Sequence, residues 1–296
     1  MQEPPSDGDV MVAVEDPDQV AQLVRTAGAL ARDAGRTVRL VTVVVKPHES
    51  PFGLFTDETI IEEFAADSQE LLARAPDPEG VEVVRDLVVA RSVADGLVTA
   101  VKRERPASLV IGWDTDPRAA DVLLGSTVDE VFERAPTDVY VERIGREANG
   151  VESVLLPVAG GPHATAARTA AVAIARANDA TVTVLSIAAD GPDEAAARDI
   201  VGEEAGAIAA ALSDTQVETV VTAADRVEDE IISRAPDHDV ILLGATRKGV
   251  LRGRLVGSVP RRVVDGSEKT VIVARSAAGR LGRLEQWVAS ITGHTR

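Results

Sequence analysis

The chain repeats itself, and the repeat constrains its fold more than any other feature. Gly112 and Gly125 recur as Gly244 and Gly257, and Val139 recurs as Val271, each 132 residues on. Earlier in the chain, Glu15 and Val43 align with Ala159 and Ile187 at a spacing of 144. Two constant spacings separated by one change of length are what a duplication plus a surface-loop insertion leaves behind. The second copy is therefore about twelve residues shorter, and the block it lacks falls around Pro47–Thr56. The expected organisation is two like domains, 1–144 and 151–275. A short linker at 145–150 joins them, and a tail follows from 276 to 296. With 296 residues, each copy has length enough for its own core.

Within each copy, short β-branched runs alternate with longer segments rich in Ala, Leu, Glu and Arg. The first copy reads as strands at 10–15, 37–45, 81–89, 108–112 and 138–142, with helices near 17–34, 57–75, 92–105 and 125–135. The second reads as strands at 153–158, 180–187, 217–222, 239–244 and 270–274, with helices near 162–178, 192–212, 226–235 and 257–265. Runs such as Val240–Leu243 are continuously apolar, as strands buried on both faces must be. The pattern predicts an α/β fold: two tandem open-sheet domains, each a five-stranded parallel sheet flanked by helices.

Composition narrows the chemistry. The chain has no cysteine, which excludes disulfides, thiolate catalysis and cysteine-bound zinc. His48, His163, His238 and His294 are scattered without metal-ligand spacing, so surface or turn positions are expected and no metal site. A net charge of −17 repels phosphodiester backbones and argues against binding DNA or RNA. Only Lys46, Lys102, Lys248 and Lys269 carry amines, and an acidic, Lys-poor, Val- and Ala-rich chain suits a halophile. No apolar stretch approaches the roughly 20 residues that span a bilayer, and residues 1–9 are polar. The expectation is a cytoplasmic protein without membrane insertion.

The segment after the fourth strand carries the chemistry. It runs Gly112-Trp113-Asp114-Thr115-Asp116-Pro117-Arg118 to Gly125-Ser126 in copy one. In copy two it runs Gly244-Ala245-Thr246-Arg247-Lys248-Gly249 to Gly257-Ser258. A glycine lets the backbone approach a ligand, and the following helix offers unpaired N–H groups and the positive end of its dipole. The Ser hydroxyl can hold a phosphate oxygen. A Gly-Ser pair before a helix is equally an ordinary N-cap, and Ser126-x-x-Asp129 has the form of a capping box.

This arrangement resembles the universal stress protein family. Its members carry Gly-x2-Gly-x9-Gly-Ser/Thr here, an acidic residue at the end of the first strand and an apolar residue at the end of the second. The resemblance spans residues 9 to about 275. The runs Leu156–His163 and Gly244–Gly249 look like those of archaeal members, some of which are fused behind membrane transporters. The resemblance implies a 3-2-1-4-5 strand order, pairing of the two copies through their last strands, and ATP or AMP binding in a subset. It also favours a homodimer.

Carried over residue by residue, the motif is incomplete. Its second Gly is Thr115 in copy one and Arg247 in copy two. The first-strand acid is Glu15 in copy one but Ala159 in copy two, and the residue against adenine would be Val43 or Ile187. In copy one the nucleotide-binding set is thus Glu15, Val43, Gly112, Gly125 and Ser126. In copy two it is Ile187, Gly244, Arg247, Lys248, Gly257 and Ser258. Asp114, Asp116 and Asp121 make the first loop acidic, so a triphosphate there would need metal ions. Arg247, Lys248, Arg252 and Arg254 make the second basic. That cluster is equally a solvated loop, or one paired with carboxylates of the other copy. Magnesium is left open.

No catalytic constellation is present, and pairs such as Glu62–Glu63 and Glu203–Glu204 read as solvated helix faces. The tail places Leu281, Leu284, Val288 and Ile291 on one helical stripe, suited to packing on copy two or a dimer partner, or to docking a membrane surface or transporter. The expected function is a non-enzymatic stress-response module binding an adenine nucleotide. The alternative is an interaction or scaffold module, for example for a transporter, that binds none.

Overall fold

A computed structural model describes residues 8–46, 65–113, 126–145, 150–188, 194–212, 217–245 and 257–278. In copy one the elements are β1 (Val10–Ala13), α1 (Pro17–Ala34), β2 (Val38–Val45), α2 (Ala66–Arg74), β3 (Val83–Ala90), α3 (Val93–Glu104), β4 (Ser108–Gly112), α4 (Ser126–Arg134) and β5 (Asp138–Arg143). Copy two follows with β6 (Ser153–Pro157), α5 (Ala164–Asn178), β7 (Thr181–Ala188), α6 (Glu194–Ala211), β8 (Val217–Ala223), α7 (Val227–Arg234), β9 (Val240–Gly244), α8 (Ser258–Gly266) and β10 (Thr270–Arg275). The repeat is visible in these bounds. The helices α4 and α8 start at Ser126 and Ser258, and α1 and α5 end at Ala34 and Asn178.

Among the described residues, the ten strands form one sheet in the order β3-β2-β1-β4-β5-β10-β9-β6-β7-β8. Each half is parallel and has the 3-2-1-4-5 order. The halves join where β5 and β10 pair antiparallel, with Val141 opposite Val273. One core, under α1, α2, α5 and α6, holds Leu23, Leu40, Leu72, Tyr140, Leu156, Ile174, Ile208 and Leu242. The other, under α3, α4, α7 and α8, holds Leu97, Leu109, Phe132, Leu155, Ile231, Ile241 and Val263. Both cores run through both copies.

Local chemistry explains the first helix of copy one. Asp16 accepts the N–H of Asp18 at 2.9 Å and caps α1, and Pro17 fills the first turn, where no N–H is needed. Val20, Leu23, Val24, Ala27, Leu30 and Ala31 then form its buried stripe. Gly35 ends the helix with φ +63°, a conformation that costs a side chain strain.

Three expectations change. The first strand stops at Ala13, two residues short, so Glu15 lies exposed on the turn beyond it. His163 and His238 do lie at turns but are buried: His163 Nδ1 accepts the Ser276 N–H at 3.1 Å, and His238 Nδ1 lies 3.0 Å from the Arg234 carbonyl. Glu204 is also buried, because Arg168 of α5 reaches it at 2.7 Å, while Glu203 is exposed. Glu62, Glu63, the start of the expected helix at 57–75, most of the linker and the tail stripe lie outside the described residues. No described helix is long and apolar enough to cross a membrane.

Candidate functional site

The strand order reverses beside β1 in copy one and beside β6 in copy two. Chains leaving β1 and β4, or β6 and β9, therefore turn to opposite faces and leave a crevice at their carboxyl ends. In copy one, Gly112 closes β4 and faces the start of α1. A Cβ at Gly112 would lie 2.5 Å from Gln19 Oε1, so the Gln19 amide rests directly on this glycine. Gln19 Nε2 in turn donates to Asp16 Oδ2 at 3.2 Å. Glu15, Asp16 and Asp18 are all exposed on this turn and give the rim a concentrated negative charge.

Copy two solves the same turn differently. Its counterpart runs Ala159-Gly160-Gly161-Pro162 and contains no carboxylate. Gly160 and Gly161 have φ of +70° and +99°, backbone that favours glycine over any side chain. His163 occupies the repeat position of Gln19, and a Cβ at Gly244 would meet its backbone carbonyl at 3.4 Å. A side chain at Gly244 would thus come into van der Waals contact with the residue that precedes α5. On the far side of the crevice Gly257 is the N-cap of α8, and Ser258 is the first helical residue, exposed. Because Pro260 has no N–H, the first turn of α8 presents the amides of Ser258 and Val259.

The expected site residues are distributed unevenly. Gly244, Gly257 and Ser258 lie at the copy-two crevice, as do Gly112 and Glu15 at that of copy one. Val43 is half-buried against α3, where its Cγ1 lies 2.6 Å from the Cβ position of Gly96. Ile187 occupies the matching place on β7 and packs on the same side of the sheet. Ser126 opens α4. Gly125, Arg247 and Lys248 lie outside the described residues, with Thr115 and the acidic loop of copy one.

Sequence reasoning missed Asp16, Gln19 and His163 at the crevice, although the spacing of 144 that pairs Gln19 with His163 was a usable signal. It also missed Glu142, which lies one strand over. Glu142 is paired in register with Gly112, and its carbonyl accepts the Trp113 N–H at 2.8 Å. Its side chain is fully buried beneath α1, and burial pushes its carboxyl up to about 7. Hydrogen bonds from Thr26 and Gln22 and the charge of Arg25 oppose that rise without cancelling it.

The family model described as the universal stress protein family matches residues 8–143 and again 150–275. A universal stress protein from Archaeoglobus fulgidus has a similar fold. It is 15% identical with a TM-score of 0.62, over 91% of this chain and 97% of that one. The cytoplasmic domain of a prokaryotic cation chloride cotransporter is similar too, 12% identical with a TM-score of 0.61, over 91% of this chain and 96% of that one. Identities this low speak to the fold alone. No curated protein matches the sequence.

Proposed function

We propose, from the premise that the chain belongs to the universal stress protein family, that it is a stress-response module binding ATP or AMP in its copy-two crevice, without enzymatic activity. One observation carries the choice of copy. Where copy one presents Glu15, Asp16 and Asp18, copy two presents a neutral glycine turn leading into His163, which lies beside Gly244. Phosphate oxygens are accepted where carboxylates are absent and helix amides are present. In this reading Gly244, Arg247, Lys248, Gly257 and Ser258 hold the phosphates, and Ile187 lies against the base. Glu15, Val43, Gly112, Gly125 and Ser126 make the poorer site, in which Glu15 would serve the ribose.

Thermal denaturation in high salt tests this. ATP or AMP at millimolar concentration should raise the melting temperature, because a ligand that binds only the folded state stabilises it. Ser258→Ala combined with Gly257→Val should abolish the shift, read against the variant's own unliganded melt, which the poorer N-cap lowers. A shift that survives these changes but vanishes in Glu15→Ala would move the site to copy one. A second reading, an interaction module for a transporter, is prompted by the shared architecture with a cotransporter's cytoplasmic domain. Absence of any shift with ATP, AMP and cyclic AMP would select it over nucleotide binding.

A further inference from the structure

The strands that join the copies bring equivalent residues face to face. Val141 lies opposite Val273, its counterpart in the repeat, so a pseudo-two-fold axis passes between them. Residues that meet near this axis compare the two copies directly.

Some of these contacts are symmetric. Arg143 Nη2 donates to the carbonyls of Val264, at 2.7 Å, and Ser267, at the end of α8. Its counterpart Arg275 donates from Nη2 to the carbonyls of Ala135 and Thr137 beyond the end of α4, at 2.8 and 2.9 Å. Each copy caps the other's last helix in the same way, and these contacts would survive if either copy paired with itself.

Other contacts are not symmetric. On the face covered by α4 and α8, Arg261 Nη2 lies 3.7 Å from Asp129 Oδ2, and these two residues occupy the same position of the repeat. On the opposite face, Glu142 is fully buried beside the seam, and its Oε1 accepts from Gln22 Nε2 at 2.9 Å. The copy-two counterparts of Glu142, Gln22 and Thr26 are Ala274, Ala166 and Ala170, all buried and apolar. The polar cluster is therefore built in one copy only, and across the seam Glu142 lies in register with the apolar Ile272.

We infer that this seam is keyed for unlike halves: the last-strand face of copy one accepts copy two and rejects a second copy-one face. Self-pairing of copy one would oppose two Asp129 carboxylates on one face, and on the other would set each Glu142 opposite Tyr140, the counterpart of the Ile272 it now faces. Self-pairing of copy two would oppose two Arg261 guanidinium groups. Like charges held at that spacing in a partly buried site repel far more than across open water. Arg143 and Arg275 supply adhesion that is indifferent to partner, and the Asp129–Arg261 pair supplies the discrimination. Any assembly beyond the chain must then use a different surface, or exchange a copy-one half for that of a second chain.

The full-length chain allows the test. Asp129→Arg and Arg261→Asp singly should each lower the melting temperature by several degrees, and the double exchange should recover most of the loss. Because the chain has no cysteine, Val141→Cys alone reports copy-one self-pairing as a covalent dimer. The Val141→Cys/Val273→Cys chain reports the native seam as an internal disulfide, since directly opposed antiparallel residues lie within disulfide reach. The expected result under oxidation, at high protein concentration, is an internal disulfide in the double variant and no covalent dimer in the single. Additive losses in the charge exchange, covalent dimers of Val141→Cys, or failure of the internal disulfide would each overturn the inference.

Discussion

Glu142 sits where its chemistry fits least. Its carboxyl is sealed under α1, and its Oε2 has no hydrogen-bond partner among the described residues. A carboxyl raised from its ordinary 4.5 to about 7 keeps its proton in the folded state at pH values where the unfolded chain has lost it. Its contribution to stability is therefore complete below about pH 4.5 and disappears as pH rises through about 7. The total amounts to about 3 kcal/mol. Glu142→Gln keeps the shape and removes the titration, so the variant should gain stability over wild type progressively between pH 5 and pH 8. Paired denaturant melts across that range measure the difference, which cancels the other carboxylates. A constant offset would show that Glu142 titrates normally. Nothing in the sequence around Glu142 announces this burial. The residue reads as the end of a strand, and the lid over it comes from Gln22 and Thr26, more than a hundred positions away.

At the scale of elements, the two copies place the same backbone demand on different residues. The helix α1 ends on Gly35 with φ +63°, and α5 ends at the matching place on Asp179 with φ +56°. No atom lies within 4 Å of where a Gly35 Cβ would go, so Gly35→Ala tests backbone strain free of any clash. It should cost about 1 kcal/mol, read as a lower denaturation midpoint with an unchanged slope. A neutral result would mean that the helix end relaxes to another conformation. Such elements were legible because their signals are local. Asp16-Pro17 starts α1, Gly35 stops it, and apolar runs such as Val240–Leu243 mark buried strands. The Gly-Ser pairs foretold where α4 and α8 begin for the same reason. The crevice was only half legible. Its glycines stand out in sequence, but Gln19 reaches Gly112 only because β1 and β4 are neighbours in the sheet. Glu15 could not be seen to miss the strand, since β1 ends where its pairing with β2 and β4 ends rather than where its side chains change.

At the scale of the whole molecule, the question is whether two domains by descent are two domains by stability. Sequence separates them cleanly, with a linker and a repeat. The folded chain joins them through the β5–β10 ladder, two cores that each draw on both copies, and the contact of α1 with α5. Arg176 of α5 also pairs with Asp33 of α1 across the same boundary. Unfolding copy one alone would strip Arg275 of the Ala135 and Thr137 carbonyls, while copy two alone would leave Arg143 without those of Val264 and Ser267. Unfolding either copy would also expose to water the apolar side chains that the other contributes to the two shared cores, so a half-folded chain gains little from the half it keeps. The chain should therefore melt in one cooperative transition, with calorimetric and van't Hoff enthalpies equal. Arg275→Ala removes two charged hydrogen bonds at the seam and should cost about 3 kcal/mol or more. Weakening the seam that far should also begin to separate the halves, broadening the transition and lowering the van't Hoff enthalpy below the calorimetric one. Two resolved transitions in the wild-type chain would show instead that each copy holds itself together and that the shared sheet only docks them.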